Sequence, residues 1–170
     1  MANTYTQIHI QAIVAVKFRN AVIMPHWKER LHQYPPERTG RHYPVLSKTT
    51  PTKCYPSTAC PPGWIRSDGP DHLHLFFGFR STQSLADLMR IVKGESSEWI
   101  NKQNFCSSIF RWQDGYGAFS YARSQVKAVA QYVQDQEIHH TKKTFLQEYK
   151  EFLRQFEIEF DEQYIFKPLE

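Results

Sequence analysis

The chain has 170 residues, 41% of them hydrophobic and 15% aromatic, which is enough for one domain with a real core and too short for two large ones. Its formal net charge of +4 admits a polyanionic partner but falls well short of a histone-like composition. No apolar run reaches membrane-spanning length and the opening MANTYTQIHI has no secretory pattern, so the expectation is a cytoplasmic protein with no membrane partner.

The first element is YTQIHIQAIVAVKF, residues 5 to 18, whose β-branched residues and loose alternation predict a buried strand running into the basic KFRN. MPHWKERL follows, with Pro25 suited to the first turn of a helix. That helix pattern does not continue. From Gln33 to Pro70 there are eight prolines, many Thr and Ser, and no apolar period, so the segment 32–70 reads as irregular. Cys54 and Cys60 fall within it, and with Cys106 they fit neither a zinc ribbon nor a disulfide framework; all three read as free thiols.

DHLHLFFGF, residues 71 to 79, is a strand by its alternation. Residues two apart share a face, so Leu73, Leu75, Phe77 and Phe79 point one way while His72, His74 and Phe76 point the other. The next stretch, STQSLADLMRIVKGESSEWINKQ, has a Ser or Thr cap and apolar residues at helical spacing. FRWQDGYGAFSY predicts a short strand bent at Gly115 and Gly117. SQVKAVAQYVQDQEIHH predicts a helix capped by Ser124 with Val126, Val129 and Val133 on its apolar face. KTFLQEYKEFLRQF is a last amphipathic helix, and EIEFDEQYIF after it reads as a short strand or an ordered tail.

Two histidines on one strand face suit a divalent cation held by neutral imidazoles, with positions left for substrate oxygens. The plainer alternative is two polar residues on the solvated face of an edge strand. Tyr132 and Gln136 lie four apart and project from one helix face. A phenol there has the chemistry to attack a phosphodiester, while the amide oxygen one turn on completes a metal site. Tyr132 as an aromatic at the core edge is the competing reading. Lys17 and Arg19 are candidate DNA-phosphate contacts or simply a solvated strand end, Trp112 and Tyr116 are candidate base-stacking residues or, as aromatics beside a Gly turn more often are, packing residues, and His139 and His140 suit a helix C-terminus.

The DHLHL strand, the TQSLADLMRIVKGESSEWIN helix, the WQDGYGAFSYARSQ turn and the QYVQDQEIHH helix together resemble the single-tyrosine HUH transposases of small bacterial insertion sequences and their REP-associated relatives. The resemblance covers residues 3 to 31 and 70 to 170. It implies one α+β domain over residues 1–170, with a ferredoxin or RRM-like antiparallel sheet, helices on one face, and a C-terminal tyrosine-bearing helix. By position it implies His72, His74 and Gln136 as ligands of Mg²⁺ or Mn²⁺ and Tyr132 as nucleophile. The implied activity is cleavage and rejoining of single-stranded, hairpin-containing DNA through a 5′-phosphotyrosine, in transposition by a homodimer whose tyrosine helix can serve the partner's metal site. A catalytically impaired hairpin-binding remnant is the alternative, and an unrelated metal-dependent hydrolase is a third reading.

The resemblance stops abruptly at residues 32–69, where the family has the rest of a helix and a strand. Two compensating frame shifts in the coding DNA, or an insertion, account for such a break. Loss of that helix and strand predicts a histidine strand left as an unprotected edge, and hence a marginally stable protein of reduced activity.

Overall fold

The computed structural model describes residues 5–19, 22–33, 64–79, 81–136, 143–162 and 165. Its elements in chain order are β1 (Ile8–Ala15), α1 (Pro25–Gln33), β2 (Trp64–Asp68), β3 (His72–Phe79), α2 (Leu85–Lys102), β4 (Gly117–Tyr121), α3 (Val126–Gln134) and α4 (Phe145–Gln155). The strands form one antiparallel sheet in the order β2-β3-β1-β4. The fold class is the α+β arrangement that the sequence predicts.

Period-two alternation divides the sheet into two apolar faces. Ile10, Ala12 and Val14 of β1 join Leu73, Leu75 and Phe77 of β3 in a core closed by Trp27 and Leu31 of α1 and Leu88, Met89 and Ile100 of α2. Trp27 is fully buried and stacks on Phe105 at 5.1 Å between ring centroids. On the opposite face, Ile13, Ala15 and Phe119 pack with Phe145, Tyr149, Phe152 and Leu153 of α4. Phe76 packs there with Val126, Val129, Ala130 and Val133 of α3. The tyrosine helix and α4 thus lie across the sheet from α1 and α2.

The unprotected edge does not materialise. β2 pairs with β3 from Trp64↔Phe77 to Asp68↔Leu73, and β1 pairs with β3 on its other side from Ile8↔Phe79 to Ala15↔His72. The histidine strand is therefore interior, and residues 64–68 of the segment expected to be irregular supply the edge strand that covers it. Residues 34–63, with Cys54 and Cys60, lie outside the described residues, whereas Cys106 is a free thiol.

The helix starts show which local signals prevailed. Ser84 caps α2, its Oγ accepting from the Asp87 backbone N–H at 3.3 Å. Thr144 and Gln147 form a reciprocal capping box at the start of α4. Ser124 does not cap α3. It lies within a 3-10 turn, Arg123–Gln125, which the Gln125 side chain stabilises by accepting from the Ala122 backbone N–H at 3.0 Å. After α4, residues 158–161 adopt neither helix nor strand, which settles that segment as an ordered tail within the described residues.

Candidate active site

His72 and His74 enter the site because β3 alternates, and they are shielded because β3 is interior. Their relative exposures are 1% and 0%, which excludes the reading of two polar groups on a solvated edge. Their ring centroids lie 5.2 Å apart with planes inclined at 76°. Phe145, the first residue of α4, stacks on His72 at 4.0 Å and fixes that ring against the sheet.

Each imidazole is also held by a hydrogen bond at Nδ1. His72 Nδ1 donates to Asp71 Oδ1 at 2.7 Å, which leaves the Nε2 lone pair for a cation. His74 Nδ1 lies 3.1 Å from Gln11 Nε2, and Tyr121 donates its hydroxyl to Gln11 Oε1 at 2.7 Å. Turning the Gln11 amide over on the same heavy-atom positions would let its oxygen accept from His74 Nδ1–H while the Tyr121 hydroxyl accepts from the amide nitrogen, and would leave the His74 Nε2 lone pair toward a cation. Gln11, fully buried opposite Phe76 and Phe119, is thus the tautomer-setting partner of His74.

Gly69 makes room for this pair. A Cβ at this position would lie 2.3 Å from His72 Cε1 and 2.8 Å from its Nδ1. Only a residue without a side chain lets the backbone pass so close to the imidazole.

The helices supply the rest. Tyr132 lies on α3, whereas Gln136 lies two residues past the last residue of that helix, Gln134, so the two do not share one helix face as their spacing predicts; both nevertheless reach Glu148 of α4. Tyr132 donates its hydroxyl to Glu148 Oε1, and Gln136 donates from Nε2 to the same oxygen at 3.0 Å. Glu148 Oε2 lies 3.7 Å from His74 Nε2. The carboxylate thereby connects the strand pair to the helix pair. Burial, with the Glu151 carboxylate adding to it, pushes the Glu148 carboxyl up to about 8.

The four residues singled out from the sequence converge, and Glu148 joins them without having been foreseen. One signal marked it: Glu148 falls on the apolar stripe of α4, three residues after Phe145 and four before Phe152, where a charge needs a partner. Donor atoms of His72, His74 and Glu148 all lie within 4.8 Å of one another, close enough to surround one ion. Gln136 Oε1 is buried and accepts no hydrogen bond among the described residues. Two imidazoles, a carboxylate and an amide oxygen, with a glycine clearing space beside one ring, fit a divalent cation.

Other candidates fare differently. Lys17 lines a groove at the end of β1 with Phe18 and Arg111. The Arg19 side chain, His139 and His140 lie outside what the structure describes. Trp112 is not available to stack on bases: it is 6% exposed and donates from Nε1 to Ser96 Oγ at 2.8 Å. Tyr116 is half-buried against the same core.

Residues 67–136, which hold the histidine strand, α2 and the tyrosine helix, match the family model for IS200-like transposases. A structure described as a transposase of Deinococcus radiodurans R1 superposes with a TM-score of 0.52 at 14% identity, covering 80% of this chain and 95% of that one. A REP-associated tyrosine transposase bound to a REP hairpin superposes at 0.53 and 10% identity, covering 82% and 73%. At these identities the likeness to both transposases is one of fold. No curated protein sequence matches the chain. The family is one of DNA transposases, and the chain's buried His72, His74 and Glu148 form a possible divalent-metal site. Among the described residues no helix is long and apolar enough to cross a membrane.

Proposed function

We propose that the chain cleaves and rejoins single-stranded DNA, in transposition of a mobile element, by attaching a 5′ phosphate to Tyr132. The observation that carries this is the meeting of the Tyr132 hydroxyl with the histidine pair through one buried carboxylate, within a single chain. Attack by the phenol oxygen forms the Tyr–O–P bond as the P–O3′ bond breaks. The phenolic proton ends on the released 3′ hydroxyl, so the step consumes no nucleotide and is reversible. A later 3′ hydroxyl reverses it and joins strands.

A divalent cation such as Mg²⁺ or Mn²⁺, held by His72, His74 and an oxygen from the helix pair, would supply charge neutralisation at the scissile phosphate. Asp71 and Gln11 set the imidazole tautomers. Phe145 and the interior position of β3 keep water from the rings. Tyr132, anchored at Glu148 and packed edge-on to Phe152 at 5.8 Å between centroids, is held near its target rather than swinging freely in solvent. Lys17 and Arg111, beside the exposed ring of Phe18, offer cations and an aromatic face to the strand beyond the cut, and Arg19 is a further candidate phosphate contact. The REP hairpin held by the second structural neighbour makes hairpin-bearing DNA the substrate to try first.

The assembled site supports catalysis over a binding-only remnant. Because Tyr132 and the histidines of its own chain meet at Glu148, a homodimer is not needed to bring the four residues together. Incubation with labelled single-stranded DNA carrying a hairpin, with Mg²⁺ or Mn²⁺, tests the reading. A denaturation-stable protein–DNA adduct is expected, lost in Tyr132→Phe and in His74→Ala. Cleavage that survives Tyr132→Phe would point to a metal-dependent hydrolase instead.

A further inference from the structure

We propose that Glu148 is the third protein ligand of the cation, and that Gln136, expected by resemblance to be that ligand, instead positions the Glu148 carboxylate. This rests on the reading that a divalent cation binds the histidine pair, and it changes the identity of the ligand set. The two oxygens of Glu148 face different surroundings. Oε1 receives the Tyr132 hydroxyl and the Gln136 amide, whereas Oε2 lies on the imidazole side, 3.7 Å from His74 Nε2. A carboxylate with one oxygen toward the donor cluster and the other held by hydrogen bonds has the layout of a ligand with its outer partners in place.

Charge favours the same assignment. His72, His74 and Glu148 are all buried, at 1%, 0% and 6% exposure. A divalent ion enclosed by neutral imidazoles and a neutral amide would sit there with no counter-charge from the protein, which is costly in a buried site. Glu148 provides one negative charge and a hard oxygen, the ligand type preferred by Mg²⁺ and Mn²⁺. Gln136 turns a nitrogen, which cannot ligate, toward the carboxylate. Its buried Oε1 is the atom through which the rival assignment works. The same carboxylate holds Tyr132, so cation binding and placement of the nucleophile pass through one residue.

Binding of Mn²⁺ alone to the full chain, followed by the electron paramagnetic resonance signal of the free ion, decides between the assignments. Glu148→Gln is expected to weaken Mn²⁺ binding by well over about 100-fold, and Gln136→Ala by about 10- to 100-fold, as for an outer partner. Glu148→Cys is expected to shift preference from Mn²⁺ to Cd²⁺ because a thiolate ligand selects the softer ion. The reverse order of losses, or a Gln136→Cys variant that gains Cd²⁺ while Glu148→Cys does not, overturns the assignment. Should Glu148→Gln fail to fold, Gln136→Ala and the cysteine pair still decide it. Unchanged Mn²⁺ affinity in Glu148→Gln alongside a normal DNA adduct in the wild type defeats this inference and leaves the transposase reading standing.

Discussion

Gly69 sets the space available to the histidine pair. A methyl group at this position meets the His72 ring at 2.3 Å, well inside van der Waals contact, and the ring has Phe145 stacked against it. Gly69→Ala is therefore expected to displace the imidazole and lower Mn²⁺ affinity more than about tenfold, with little change in far-ultraviolet circular dichroism. Glu148 yields a pH dependence. Its carboxyl is raised from 4.5 to about 8, so the folded chain holds this proton more tightly than the unfolded one. The resulting stabilisation is complete below the unfolded value, declines as pH rises, and is lost above about 8. Thermal melts of the metal-free protein should show it, and added Mn²⁺, which needs the carboxylate, should raise the midpoint more at pH 9 than at pH 5. At this scale the histidine pair was legible as strand alternation, while Tyr132 and Gln136 were legible as a nearby pair even though the helix expected to carry both ends at Gln134. Glu148 was legible only as a charge on the apolar stripe of α4, since nothing local to that helix tells which distant strand it folds against.

Two helices carry the consequences at the level of elements. Gly94 lies mid-way along α2, and a Cβ there meets nothing within 4 Å. Gly94→Ala should stabilise the protein by about 0.5–1 kcal/mol, read as a shifted denaturant midpoint with an unchanged slope. Thr144→Ala removes the capping box of α4 and should destabilise by about 1 kcal/mol. Because α4 presents Phe145 and Glu148 within its first turns, this variant should also weaken Mn²⁺ binding, whereas Gly94→Ala should not. Both helices were readable from a cap followed by apolar residues at helical spacing. β2 escaped notice for the opposite reason: five residues, WIRSD, after a proline-rich stretch have no pattern of their own, and pairing with β3 makes them a strand. The 3-10 turn before α3 likewise reflects Gln125 reaching back to Ala122, a competition that a serine nearby does not reveal.

Over the whole molecule, the sheet works because it is covered on both sides. α1 and α2 bury one face, and α3 and α4 close the other over the histidines, so the site lies buried between the sheet and those two helices. The sequence indicated the antiparallel sheet and the family resemblance, but long-range closure by α4 depends on contacts no local pattern encodes. Since Tyr132 is joined to His74 through Glu148 within one chain, mixing inactive Tyr132→Phe with inactive His74→Ala should not restore adduct formation. Recovery in the mixture would mean that the tyrosine helix serves a partner's site. The most direct test of the account is mass spectrometry of the trapped protein–DNA adduct after proteolysis. The account predicts a nucleotide 5′ phosphate on the peptide containing Tyr132 and on no other peptide; cleaved DNA with unmodified Tyr132, or attachment at a different residue, would contradict it.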